Sequence, residues 1–158
     1  MLELIQPILQ YHDTLHRQLW ESIMGLSDAQ FVQEIPYSHG SIRNQMVHLT
    51  AVEGRWLRGL KGLPDARSYN PDPAGYPTRQ SAYHLWQAGA QEWAAYAGAL
   101  DEASLLYISP GMPGPAWQVL LHVVNHGTDH RAQVLRALHD FGAPTFDQDL
   151  IFHLWARR

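Results

Sequence analysis

The sequence predicts an all-α protein, a four-helix bundle with short extra helices and room for a crossover connection. Four long segments repeat their apolar residues with the period of a helix. No segment alternates with the period of a strand, and stretches rich in Pro, Gly, Asn and Asp separate the helical segments. A single domain over residues 1–158 is expected, because this length suffices for one hydrophobic core.

Composition argues against several functional classes. The formal net charge is −4, so no basic surface for nucleic acid is expected. No apolar run reaches the roughly 20 residues that a membrane helix needs. The chain has no cysteine for a disulfide or a thiolate metal site, and a cytoplasmic location is therefore expected. Its ten histidines are unusually many, so a functional prediction depends on where they fall.

The first half of the chain contains two of the long helices. The first is predicted from about Leu2 to Met24, where apolar residues recur at helical spacing. Ser27 and Gln30 follow with the spacing of a capping box, which predicts a short helical turn. The second long helix is predicted from about Ser41 to Leu60.

The second half contains the other two. A loop at 61–77 is long enough to permit a crossover, so simple up-and-down order is not required. Thr78 is the predicted cap of a third helix that runs through about Leu100. Pro115 suits the first position of the fourth helix, which is predicted to end near Phe141. The C-terminal tail is predicted to add one short helical piece.

Three histidines recur every four residues in the segment HVVNHGTDH of the fourth helix. His126 and His130 fall where the apolar arc of that helix begins, whereas His122 falls in the polar arc. Imidazoles at i and i+4 on one helix face can share a metal ion. His48 lies at the corresponding border of the apolar arc of the second helix. Together, His48, His126 and His130 predict a three-nitrogen metal site with an open coordination position. Gly127 is expected to admit the close approach of another helix.

Other polar residues compete with this interpretation. His12 and His16 also have i, i+4 spacing and lie well inside the apolar arc of the first helix, so periodicity alone leaves the choice of pair open. Any of these histidines could instead be a hydrogen-bonded structural residue. Glu53 and Arg131 fall inside apolar arcs as well. Because a buried unpaired charge is costly, these two are expected to pair with each other or with a bound ligand.

Two long segments resemble the DinB-like family of bacterial four-helix proteins: SHGSIRNQMVHLTAVEGRWL and LLHVVNHGTDHRAQVLRAL. The resemblance covers essentially the whole chain. It implies a bundle with a metal held by one histidine of the second long helix and two of the fourth. In this sequence those are His48, His126 and His130, so the resemblance favours them over His12 and His16.

The resemblance also implies a function. It indicates a metal-dependent enzyme with zinc or nickel that acts on a small molecule, as a thiol-dependent S-transferase or a hydrolase. Glu53 or His122 would then transfer protons. The alternatives are a stress-associated protein that binds a metal or ligand without turnover, and a bundle whose histidines are structural. Related bundles pair, so a homodimer is expected, with neither a nucleic acid nor a membrane as partner.

Overall fold

The computed structural model describes residues 1–156, and over these residues it is helical. The four long helices are α1 (Leu2–Met24), α3 (Ile42–Leu60), α4 (Arg79–Gly98) and α6 (Ala116–Asp140). The short ones are α2 (Asp28–Val32), α5 (Glu102–Leu106), α7 (Leu150–Trp155) and a 3-10 turn (Pro73–Gly75). No strand occurs in the described part of the chain, which confirms the all-α prediction. None of the described helices combines the length and the apolar character needed to cross a membrane.

Local sequence signals set most helix ends. Ser41 and Thr78 cap α3 and α4, because each side chain accepts a hydrogen bond at 3.1 Å from the backbone N–H three residues on. The capping box of Ser27 and Gln30 is present at the start of α2. Pro115 lies one position earlier than predicted. Its backbone is extended, with ψ of 158°, so it is the N-cap of α6 rather than the first helical residue.

The short helix α5 was not predicted. The third long helix ends at Gly98 instead of about Leu100, and α5 begins at Glu102. Asp101 caps it by accepting a hydrogen bond from the Ser104 backbone N–H at 2.7 Å. Such a cap stabilises the first turn of even a short helix.

Two apolar clusters fill the two ends of the bundle. The first joins the C-terminal halves of α1 and α6 to the N-terminal halves of α3 and α4, through residues such as Leu19, Ile23, Met46, Ala82 and Leu138. The second joins the N-terminal halves of α1 and α6 to the C-terminal halves of α3 and α4, through residues such as Ile5, Leu60, Trp93, Val119 and Leu120. Helices α1 and α6 therefore run in one direction and α3 and α4 in the other.

The 61–78 connection is a crossover that runs the length of the bundle. It starts where α3 ends, at Leu60 in the second apolar cluster, and returns to the first apolar cluster, where α4 begins next to Ala82. Its Tyr69 packs against Gly54 of α3, where an added Cβ would lie 2.3 Å from the Tyr69 ring. Glycine at position 54 thus permits the close approach of the crossover. The crossover that the loop length allowed is present.

A layer of buried polar residues separates the two apolar clusters. Its members are each at most 9% exposed: His12, His16, Gln45, Glu53, His130 and Arg131. Helix α6 packs against both α1 and α3, so its histidine-rich turn contributes to the middle of the bundle. Burying polar groups costs free energy unless they bind one another or a ligand. The layer is therefore the part of the fold where a functional site is expected.

Candidate metal centre

Four imidazoles from three segments of the chain lie together next to the polar layer. His48 comes from α3, His126 and His130 come from successive turns of α6, and His39 comes from the connection that precedes α3. We call these four residues the imidazole cluster. The i, i+4 spacing on α6 places two of the rings on one helix face.

The three predicted ligands lie close together. The ring centroids of His48 and His126 are 5.4 Å apart, and those of His48 and His130 are 4.8 Å apart. Those of His126 and His130 are 4.2 Å apart. The packing of α3 against α6 thus brings residues 78 or more positions apart in the sequence to one place. That they bind a metal stays a prediction.

His39 is a member of the cluster that sequence reasoning missed. Its ring stacks on that of His48, with centroids 3.9 Å apart, and lies 5.5 Å from that of His130. Ligand atoms of these three histidines all lie within 4.8 Å of one another. Ser38 (φ +57°) and Gly40 (φ +82°) form the left-handed turn that carries His39. Helical periodicity does not extend into a loop, so the only signal was a histidine just before the α3 cap.

Burial keeps the imidazoles of His48, His126 and His130 uncharged near neutral pH. It is the main reason that the pKa of His48 falls to about 4, with the charges of His39 and His130 adding to it. It also lowers the pKa of His126 to about 4, followed by the effects of His130 and His122. The pKa of His130 is lowered by burial first and by His39 second. A neutral imidazole offers the lone pair that a metal ion requires.

Two ring nitrogens of the cluster differ in their hydrogen bonding. The Gln45 side-chain amide contacts His130 Nδ1, and its Nε2 also donates to Gln133 Oε1 at 3.2 Å. Such a partner fixes the orientation of the ring. His126 Nδ1, in contrast, is buried without a hydrogen-bond partner in the described part of the chain. Most buried polar atoms have one, so this nitrogen is available to a ligand.

The two predicted proton-transfer residues lie in different places. His122 is exposed, and its ring packs edge-on against Trp56 at 5.0 Å and lies 5.9 Å from that of His126. Glu53 is 7% exposed and lies in the polar layer, where His12 Nε2 donates to its Oε1 at 3.0 Å. His122 is thus the one of the two that adjoins the imidazole cluster.

A second group of polar residues lies between α1, α3 and α6. It contains His12, His16, Glu53 and Arg131, and we call it the central cluster. Arg131 Nη1 donates to His12 Nδ1 at 3.2 Å, and His12 in turn donates to Glu53. Glu53 Oε1 also lies 3.5 Å from His16 Nδ1. The pairing expected of Glu53 and Arg131 therefore takes the form of a bridge through His12, which keeps both buried charges compensated.

Gly127 makes this bridge possible. A Cβ added at this position would lie 2.4 Å from His12 Cε1 and 3.0 Å from Arg131 Nη1. A side chain there would displace His12 from its place between the two charges. The weak helix former in the middle of α6 thus admits a side chain of α1, in agreement with the expected close approach.

Both clusters have the spacing of metal ligands, but their donor chemistry differs. The ligand atoms of His12, His16 and Glu53 also lie within 4.8 Å of one another. In that group Arg131 adds a positive charge and occupies one nitrogen of His12. The imidazole cluster offers the neutral nitrogen donors of His48, His126 and His130, one of them without a partner in the described residues, and so it fits a divalent cation better.

Comparison with known proteins bears on the whole chain. The sequence matches the model of the DinB family over residues 1–157. No match was found among curated proteins.

Proposed function

The chain belongs to the DinB family, and from this premise we propose that it is a metal-dependent enzyme acting on a small molecule. His48, His126 and His130 hold one divalent cation, zinc or nickel. The reaction is transfer to the sulfur of a low-molecular-weight thiol, or hydrolysis. The observation that carries the proposal is that the ring centroids of these three histidines lie within 5.4 Å of one another. The Nδ1 atom of His126, which is buried without a partner in the described residues, adds to it.

The donor set defines what such a site can do. When bound, a divalent cation supplies Lewis acidity, which lowers the pKa of a thiol or water and polarises a substrate oxygen. Three protein nitrogens leave coordination positions open to small molecules. Zinc, nickel, copper and iron all accept imidazole, so the donors alone do not choose the ion.

The chain's own residues orient the ligands and transfer protons. Gln45 holds the ring of His130 through Nδ1. The two ends of a carboxamide have the same shape, so its Oε1 can take the place of Nε2 and accept from Nδ1–H, which leaves the far nitrogen of the ring free. His122 is exposed beside His126 and is placed to exchange protons with solvent. Glu53 would transfer protons from its position in the central cluster.

Metal analysis of protein purified without a histidine tag tests the site. The wild-type chain is expected to contain about one zinc or nickel ion per molecule, and the His126→Ala/His130→Ala variant is expected to contain none. His139→Ala is the matched control, because His139 is an exposed histidine of the same helix. Equal metal content in all three proteins would overturn the proposal.

Single variants decide which imidazoles bind the ion. The proposed set predicts that His126→Ala lowers metal affinity far more than His39→Ala does. The reverse ranking would assign the site to His39, His48 and His130, whose ligand atoms lie within 4.8 Å of one another.

Turnover separates an enzyme from a binding protein. The metal-loaded chain is screened with electrophilic substrates and with bacillithiol, mycothiol, glutathione or water as acceptor. Product that forms with the wild type and not with His126→Ala/His130→Ala supports the enzyme. No turnover over a broad panel would favour a stress-associated protein that binds its ligand without reaction.

The proposal includes a cytoplasmic homodimer. Its support is a set of exposed apolar side chains on α7, 36–59% exposed: Leu150, Ile151, Phe152 and Trp155. A second copy of the chain would cover them. Light scattering is expected to give the mass of a dimer, and Phe152→Ser is expected to shift it toward the monomer. A monomer mass at all concentrations would contradict this part.

A further inference from the structure

A cavity of about 620 Å³ opens between α1 and α4 and extends to the central cluster. Its polar wall includes His12, His16 and Glu53, and its apolar wall includes Trp86 and Trp93. None of the residues of the imidazole cluster lines it. Its volume suits a small organic ligand, and the proposed metal site does not account for it.

The hydrogen-bond donors of Arg131 fix the tautomer of His12. A guanidinium only donates, so His12 Nδ1 accepts from Arg131 and carries no proton. His12 Nε2 therefore carries the proton and donates it to Glu53 Oε1 at 3.0 Å. Both nitrogens of His12 are satisfied within the protein.

His16 is left with an unused acceptor. Its Nδ1 lies 3.5 Å from Glu53 Oε1, and a proton on Nδ1 is favoured because a lone pair there would face the negative oxygen. The lone pair then lies on Nε2, which is buried without a hydrogen-bond partner in the described part of the chain. Burial, followed by the charges of His12 and Arg131, lowers the pKa of His16 well below its ordinary value. The ring is thus a neutral acceptor in the cavity wall.

Trp93 supplies an unused donor. Its indole Nε1–H is likewise buried without a partner in the described residues, and Trp93 lines the same cavity. An indole N–H only donates. The wall thus contains an acceptor and a donor that are both buried and without a partner among the described residues, and most such buried groups in proteins are satisfied.

The charges of the central cluster argue against an ionic ligand. All three nitrogens of the Arg131 guanidinium donate within the protein, to Gln148 Oε1, His12 Nδ1 and Thr128 Oγ1. Arg131 does not line the cavity, so its guanidinium does not meet an anion there. Its charge already balances that of Glu53, and a metal ion would meet both the protonated Nε2 of His12 and a buried guanidinium.

We infer that this cavity is a second binding site, for a neutral and mostly apolar molecule whose hydroxyl group donates a hydrogen bond to His16 Nε2. The indoles of Trp86 and Trp93 contact its apolar or aromatic body. None of the three proposed metal ligands lines this site, and its ligand binds without the metal.

Calorimetric titration of the full, metal-free chain tests the inference. The probes are 4-methylphenol and 4-methylanisole, which share an aromatic body but differ in the hydroxyl proton. The phenol is expected to bind at one site per chain, about tenfold or more tighter than the ether, because the ether leaves His16 Nε2 unpaired. In ¹⁵N NMR, the His16 Nε2 resonance is expected to move when the phenol binds.

Three variants locate the site. In His16→Asn the preference for the phenol over the ether is expected to disappear. Ala90→Leu fills the cavity from α4 without touching the central cluster, and it is expected to weaken both probes. Ala95→Leu is the matched control, since Ala95 is exposed on the same helix and does not line the cavity.

Several results would overturn the inference. They are equal affinity for the two probes, no saturable binding of the phenol, or a His16 Nε2 resonance that the phenol does not move. A second metal ion per chain that is lost on replacing His12 and His16 would also overturn it. Since all titrations use metal-free protein, these outcomes leave the proposed metal site untouched, and failure of the metal analysis leaves this test valid.

Discussion

The imidazole cluster and the central cluster use the same residue type for different purposes. Both contain a pair of histidines at i and i+4, His126 and His130 on α6 and His12 and His16 on α1. In the imidazole cluster the neighbours of the rings are mainly other rings, and the Gln45 side-chain amide contacts His130 Nδ1. In the central cluster a guanidinium and a carboxylate lie on either side of His12.

The difference shows that spacing alone does not make a metal site. Three ligand atoms lie within 4.8 Å of one another in both places, those of His39, His48 and His130 in the first and those of His12, His16 and Glu53 in the second. What separates them is the charge of the neighbours, because Arg131 and Glu53 fix the proton of His12 whereas burial leaves the rings of His48 and His126 neutral. The first arrangement suits hydrogen bonding, and the second suits a cation.

The largest expected effect concerns the charge balance of the central cluster. Arg131→Met removes the counterpart of Glu53 and leaves a buried carboxylate uncompensated, so the free energy of unfolding is expected to fall by about 3–5 kcal/mol. Chemical denaturation measures the change. Arg131→Met/Glu53→Gln is expected to recover part of the loss.

Arg136→Met is the matched control for that prediction. Arg136 is an exposed residue of the same helix that pairs with Asp140 at 2.9 Å, and its loss is expected to leave the free energy of unfolding nearly unchanged because solvent screens such a pair. Equal destabilisation by the two methionine variants would show that the central cluster has no special charge balance.

Gly127→Ala tests the packing of the central cluster rather than its charge balance. The new Cβ would overlap His12, so the free energy of unfolding is expected to fall by about 1–3 kcal/mol. Gly98→Ala is the control, because nothing lies within 4 Å of its added Cβ, and it is expected to be neutral or slightly stabilising. A harmless Gly127→Ala would contradict the close approach of His12.

Gln45→Ala tests the side chain that contacts His130 Nδ1 in the imidazole cluster. Without the amide, the ring of His130 is no longer held, and metal affinity is expected to fall about 10- to 100-fold. Competition with a chelator of known affinity measures it. Gln87→Ala, an exposed glutamine of α4, is expected to leave the affinity unchanged. If both variants bind alike, Gln45 does not orient the site.

Acid is expected to destabilise the metal-free protein modestly. The pKa of His48 and of His126 falls from 6.5 to about 4 on folding, so the unfolded chain binds more protons between these values. Stability is therefore lost as the pH falls from about 6.5 to about 4. The slope of the unfolding midpoint against pH is expected to be shallower in His48→Asn/His126→Asn, whereas His84→Asn on the exposed face of α4 keeps it. An unchanged slope in the double variant would contradict the buried, neutral state of these rings.

Sequence reasoning found the residues that lie on regular helices. The bounds of α1 and the caps of α3 and α4 follow from local signals, because capping and helical period depend only on neighbours in the chain. For the same reason His126 and His130 could be placed on one face. His39 could not be placed in this way. It lies outside the helices, next to the left-handed residue Ser38, and helical periodicity does not predict that its ring stacks on that of His48.

The order of residues is enough to predict the long helices, the polar residues that interrupt their apolar faces, and the histidines that share a face. Which of these residues meet depends on how the helices pack in three dimensions. The crossover at 61–78 sets the directions of α3 and α4, and the packing of α6 against α1 and α3 puts His12 between Glu53 and Arg131. Contacts between residues far apart in the chain depend on how whole helices pack, and helix spacing carries no information about that.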